Sequence, residues 1–142
     1  MALIPTAAQR LPTFGGEVEV QSQAEETSRT YAVNWHTGRI GGFIDGLEAV
    51  RQAVYKLLLT ERFCHLIYSW NYGVEMSQLI GKSEEVLHSE AERILSEALL
   101  QDSRITGISN FDIEKISRNT AQIKFTVATV YGATDIEQEV DI

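Results

Sequence analysis

With 142 residues, 44% of them hydrophobic and 23% charged, the chain has the size and composition of one globular domain that can bury a core. Twenty Asp and Glu against twelve Lys and Arg leave a net charge of −8, and the basic residues do not cluster, which argues against direct binding to a nucleic-acid backbone. No apolar run is long enough to span a bilayer, so no membrane insertion is expected.

The N-terminus, MALIPTAAQRLP, lacks a basic region followed by an apolar core, so no signal peptide is expected and the chain should fold in a cytoplasm. Residues 1–16 hold both prolines, Pro5 and Pro12, and the Gly15-Gly16 pair. They read as an extended arm before a single α+β domain at residues 17–142. Glu17, Val18, Glu19 and Val20 alternate as in a short strand, and a polar connector follows to Ser28. Tyr31, Val33 and Trp35 alternate with Thr30, Ala32 and Asn34, which predicts a strand before a Thr37-Gly38 turn. Another strand starts at Arg39.

From Leu47 the apolar residues Leu47, Val50, Val54, Leu57 and Leu58 recur on one helix face, with Glu48, Arg51, Gln52 and Lys56 opposite. Asp45 suits the cap and the helix should end near Thr60. Phe63, Leu66, Ile67, Tyr68, Trp70 and Tyr72 then give a β-prone segment ending at Gly73. Tyr68, Trp70 and Tyr72 fall on one strand face, which places them, and Cys64 beside them, in the core. A short helix follows. A longer one begins after Ser83, carries Glu84 and Glu85 in its first turn, and buries Leu87, Ala91, Ile94, Leu95 and Ala98 up to about Gln101.

At this stretch, the helix ending in Leu57-Leu58-Leu59-Thr60, the Glu61-Arg62 pair, the run Tyr68-Ser69-Trp70-Asn71-Tyr72-Gly73-Val74-Glu75 and the Leu79-Ile80-Gly81-Lys82 segment carry a resemblance. The chain resembles the XkdS-type baseplate proteins of phage-like contractile tails. More distantly it is similar to the wedge proteins often called tail lysozymes. The close likeness covers residues 31–82, with Tyr68, Trp70, Tyr72, Gly73 and Glu75 as its most specific part. The distant wedge proteins usually carry Pro and Gly beside the Glu-Arg pair, and Thr60-Glu61-Arg62-Phe63 has neither.

From Ile105 the period changes to two: Phe111 and Ile113, then Ile123, Phe125 and Val127, then Ile136, Val140 and Ile142. Three antiparallel strands are predicted, joined at Arg118-Asn119-Thr120 and at Gly132-Ala133. The last strand turns Asp135, Glu137, Glu139 and Asp141 to water and Ile136, Gln138, Val140 and Ile142 inward. At a sheet edge, its backbone can accept a strand from another chain. Residues 135–142 are therefore the candidate partner contact.

Sites of chemistry are not expected. Gly81-Lys82-Ser83 ends like a phosphate-binding loop, but Met76 stands where that loop needs glycine. His36, His65 and His88 lie on separate elements without metal-ligand spacing, so neither metal nor cofactor is implied. A glycosidase would need two converging carboxylates. Glu61 and Glu75 are the candidates, yet a Glu beside an Arg stays ionised, which is wrong for a general acid.

The expected architecture is α+β, a small, mainly antiparallel sheet packed with two longer helices. The resemblance adds the baseplate wedge, tail lysozyme-like fold and a structural, non-enzymatic role in a contractile phage tail or phage-derived particle. It implies assembly in a bacterial cytoplasm, a place in the tail baseplate and a part in starting the sheath. The implied partners are other baseplate wedge proteins, the tail sheath protein and the tail tube or hub. The competing function is a peptidoglycan-cleaving tail lysozyme.

Overall fold

A computed structural model describes residues 27–142. The expected arm at residues 1–16 and the strand at 17–20 lie outside the described residues. Among the described residues the fold is α+β, with two α-helices and two antiparallel sheets.

The first sheet is a hairpin of β1 (Thr30–Asn34) and β2 (Arg39–Ile44). Trp35 lies in its turn rather than in the strand. Helix α1 (Gly46–Leu58) follows, its first amide held by the Asp45 carboxylate at 2.7 Å. Gln52, expected on the polar face, is buried. Its side-chain amide accepts from Val33 N and donates to Tyr31 O, each at 2.8 Å. The helix thereby satisfies backbone groups of β1 that a third strand would otherwise take.

After a connector and a short 3-10 turn (Met76–Leu79), helix α2 runs over Glu84–Leu99. Ser83 occupies its cap position without a side-chain hydrogen bond. The expected stripe of Leu87, Ala91, Ile94, Leu95 and Ala98 is buried throughout.

The second sheet is a meander of β3 (Ile105–Lys115), β4 (Thr120–Thr129) and β5 (Gly132–Asp141), in the order β3-β4-β5. Its second turn is Val130-Tyr131, so Gly132 and Ala133 already belong to β5. In register, Ile113 faces Ile123, Phe125 faces Ile136 and Ala121 faces Val140. A bulge between Ser109 and Asp112 puts Asn110 at φ 52°, a conformation Asn tolerates. One sheet face carries Ile113, Ile123, Phe125, Val127, Ile136 and Val140 into the core under α2, which lies against β3, and α1, which lies against β5.

Candidate interaction surface

The segment expected to be a buried strand is instead an exposed loop. Helix α1 closes with Thr60 Oγ1 donating to Lys56 O. The chain then forms an isolated parallel bridge between Glu61 and Val74: Arg62 N donates to Val74 O and Val74 N to Thr60 O, both at 3.0 Å. With its two ends fastened together, the intervening chain has to fold outward.

Gly73 makes this neck possible. It sits at φ 104°, and a Cβ there would lie 2.7 Å from Thr60 O and 2.9 Å from Arg62 N. No L side chain fits that approach. Within the loop, Arg62 Nε donates to Trp70 O at 2.8 Å, and turns close from Tyr68 N to His65 O and from Tyr72 N to Ser69 O. The Arg62 guanidinium also faces Glu97 at 3.5 Å and Glu75 at 3.9 Å.

These constraints leave the apolar side chains outside. Leu66 is 105% exposed, Ile67 86% and Trp70 80%, and Phe63, Tyr68 and Cys64 are exposed as well. Core positions for Tyr68, Trp70 and Cys64 are therefore corrected. The residues do not share a strand face because the backbone is turns and bends. Only the C-terminal part of the Tyr68–Glu75 motif goes inside: Gly73 and Val74 are buried, while Tyr72 and Glu75 are half-buried. Tyr72 packs its ring 4.6 Å from that of Tyr68, and burial first, then Tyr68, pushes its phenol above the ordinary tyrosine range.

The C-terminal strand has the expected two faces. Ile136, Val140 and Ile142 are buried, Gln138 is half-buried, and Asp135, Glu137, Glu139 and Asp141 are exposed. Among the described residues no strand pairs with its far side, so β5 is an edge. Part of the acidic row is engaged from β4: Thr126 Oγ1 donates to Asp135 at 2.7 Å, Gln122 Nε2 donates to Glu137, and Lys124 lies 3.5 Å from Glu137. Glu139 and Asp141 complete the row. Ile142 N is tied to Asn119 O in the turn between β3 and β4.

The two acidic residues weighed for hydrolysis have separate partners. Glu61 accepts from Ser77 Oγ at 2.7 Å, whereas Glu75 faces Arg62. His36, His65 and His88 remain on different elements, and among the described residues no group of three His, Cys, Asp or Glu side chains could hold a metal ion.

Leu66 and Ile67 had no part in the expected contact surface. The signal was present as adjacent apolar residues, which a half-solvated strand would not place side by side, in a run without Asp, Glu, Lys or Arg between Arg62 and Glu75. A second exposed group was also missed. On the hairpin, Tyr31 stacks on Phe43 with centroids 4.8 Å apart and Arg29 lies over Phe43, while Trp35 and Ile40 stand outside.

A family model described as contractile injection system sheath initiator matches residues 29–132. The chain is also similar to the phage-like element PBSX protein XkdS of Bacillus subtilis (strain 168), at 39% identity over 126 residues, which is 86% of this chain and 89% of that protein. The span matched by the family model takes in the hairpin, both helices and the exposed loop, and stops at the first residue of β5.

Proposed function

The chain belongs to the contractile injection system sheath initiator family, and on that premise we propose that it is a structural wedge component of a baseplate, joining it to the tube and starting the sheath by strand exchange at β5. The sheath-initiating, structural role in a contractile particle follows from the family. The finer reading gives it the tail lysozyme-like wedge fold as a single domain over residues 17–142, assembled in a bacterial cytoplasm into the baseplate of a phage-like tail. Its partners on this reading are other wedge proteins, the tail sheath protein and the tail tube or hub.

The observation that carries the reading is the edge position of β5. Its buried Ile136, Val140 and Ile142 hold the strand to its own core, while among the described residues no strand pairs with its far backbone edge, and such an edge can hydrogen-bond an incoming strand. The row of Asp135, Glu137, Glu139 and Asp141 disfavours pairing with a second copy through like-charge repulsion and favours a basic partner.

The test substitutes proline at those positions among 135–141 whose amides point away from β4. Such variants should fold and enter baseplates but carry no sheath. If every folded proline variant still assembles sheath, the strand-exchange reading is wrong.

We read the role as non-enzymatic from the structural character of the family, and because Glu75 lies 3.9 Å from the Arg62 guanidinium, a neighbour that favours the ionised form over a general acid. Purified protein should leave peptidoglycan intact. Cleavage that disappears in Glu61→Gln or Glu75→Gln would replace this reading with that of a hydrolase.

A further inference from the structure

Strand exchange makes no use of the loop at residues 63–72. Its backbone is turns and bends rather than an extended edge, so it offers side chains to a partner and no ladder. Leu66, Ile67 and Trp70 are each 80% exposed or more, and Phe63 lies beside Trp70 at a ring-centroid distance of 5.8 Å. An apolar surface of this kind marks an interaction site. Its form is also fixed in advance, by the Glu61–Val74 bridge, the Gly73 crossing and the bond from Arg62 Nε to Trp70 O. A preformed loop loses little entropy on docking.

We infer that this loop is a convex anchor that inserts into an uncharged, apolar cleft on a second protein of the particle, distinct from the sheath subunit. The inference rests on the baseplate reading above and gives the chemistry of the partner on that side.

Charge selects this occupant. The chain carries −8 overall, yet no Asp, Glu, Lys or Arg lies between Arg62 and Glu75, so the loop asks for no counter-charge. A loop that enters a lipid surface is commonly rimmed by free Lys or Arg. Here the flanking Arg62 is engaged by Glu75 and Glu97, and an acidic chain is repelled by anionic headgroups. The same net charge on each copy opposes self-association. What remains is a protein cleft, with Trp70, Leu66 and Ile67 as buried anchors and the Arg62, Glu75 and Glu97 group as the polar rim.

The experiment produces particles carrying Leu66→Ser/Ile67→Ser, with Leu66→Ser alone as a second variant at the most exposed position, and measures the chain in purified baseplates by immunoblot. Both purified variants should keep the wild-type melting temperature. The double variant should fall about tenfold or more in baseplate content, as expected for loss of interface anchors. If the double variant melts early, the decision passes to Leu66→Ser, whose content should also fall. Wild-type content in the folded variant overturns the inference. So does loop-dependent sedimentation of the wild-type protein with phosphatidylcholine and phosphatidylglycerol vesicles, or loop-dependent self-association in analytical ultracentrifugation. The β5 proline variants keep the two readings apart, because they should enter baseplates whether or not sheath follows.

Discussion

Strand β4 and the loop at residues 63–72 are both rich in residues that favour strands, and the fold treats them oppositely. In β4, Ala121, Ile123, Phe125 and Val127 alternate and all are at most 2% exposed. In the loop, Phe63, Leu66, Ile67 and Trp70 face water. Composition does not separate them; backbone pairing does. β4 has a ladder on each side, from β3 and from β5, so its amides and carbonyls are satisfied while its alternate side chains go inward. The loop has its two ends bonded to each other at the Glu61–Val74 bridge, and the hydrogen bonds found within it are local turns and the reach of Arg62 to Trp70 O. A side-chain pattern becomes a buried strand only where a neighbouring backbone is free to receive it.

Cutting Phe125 back to Ala should give the largest effect on the strand side of this contrast. The ring is 2% exposed and lies opposite Ile136 in the register, so its loss should cost about 3–5 kcal/mol in urea denaturation. A cost below about 1 kcal/mol would show that the sheet face is loosely packed and the contrast overstated.

The neck of the loop responds next. Gly73→Ala introduces a Cβ at 2.7 Å from Thr60 O and a side chain at φ 104°, so it should destabilise by about 2–3 kcal/mol. Backbone hydrogen exchange at Arg62 and Val74, whose amides bond across the neck, should speed up in the same variant. Unchanged stability and exchange would mean that the neck does not define the loop.

Helix α1, the stripe of α2 and the three-strand meander were legible in the sequence because each is a local periodicity over many residues, and the apolar phase alone decides which face is buried. Residues 68–72 misled for the opposite reason. Their alternation of Tyr68, Trp70 and Tyr72 is short, and what overrides it is a contact between Thr60–Arg62 and Gly73–Val74, which no periodicity reports. Gln52 is a similar case: a polar residue on a helix reads as solvated until a strand is placed beside it. The two faces of β5 were legible from alternation, but its edge position depended on strand order, which is a property of the fold rather than of the segment.

Acid should touch the sheet side. At the hand-over from α2 to β3, Asp102 accepts from Arg104 Nη2 at 2.6 Å, from Arg104 Nε at 2.9 Å and from Arg104 N at 3.0 Å. The guanidinium hydrogen bonds hold its carboxyl below the ordinary aspartate range, against a smaller opposing effect of burial. A carboxyl depressed in the folded state contributes stability above its unfolded pKa of about 4, and that contribution disappears as pH falls through the lower folded value. Asp102→Asn should therefore cost under about 1 kcal/mol near neutral pH, since the pair is partly open to water. The gap between variant and wild type should narrow as the solution is taken well below pH about 4. A gap that stays constant through that range would remove the ion pair from the account.

The smallest expected effect is also the most direct probe of the loop. Trp70 is 80% exposed, its one ring neighbour among the described residues is the exposed Phe63 at 5.8 Å, and the bond it makes to Arg62 uses its carbonyl, which any residue supplies. Trp70→Ala should thus change the stability of the free protein by no more than about 0.5 kcal/mol, against the 3–5 kcal/mol typical of a buried tryptophan. Tryptophan emission gives an independent readout, because the chain has two tryptophans and Trp35 is 51% exposed. The folded wild type should be readily quenched by acrylamide, and in Trp70→Ala the more accessible part of that quenching should disappear. A large loss of stability, or wild-type emission that resists quenching, would put Trp70 inside and make residues 63–72 a second buried segment like β4.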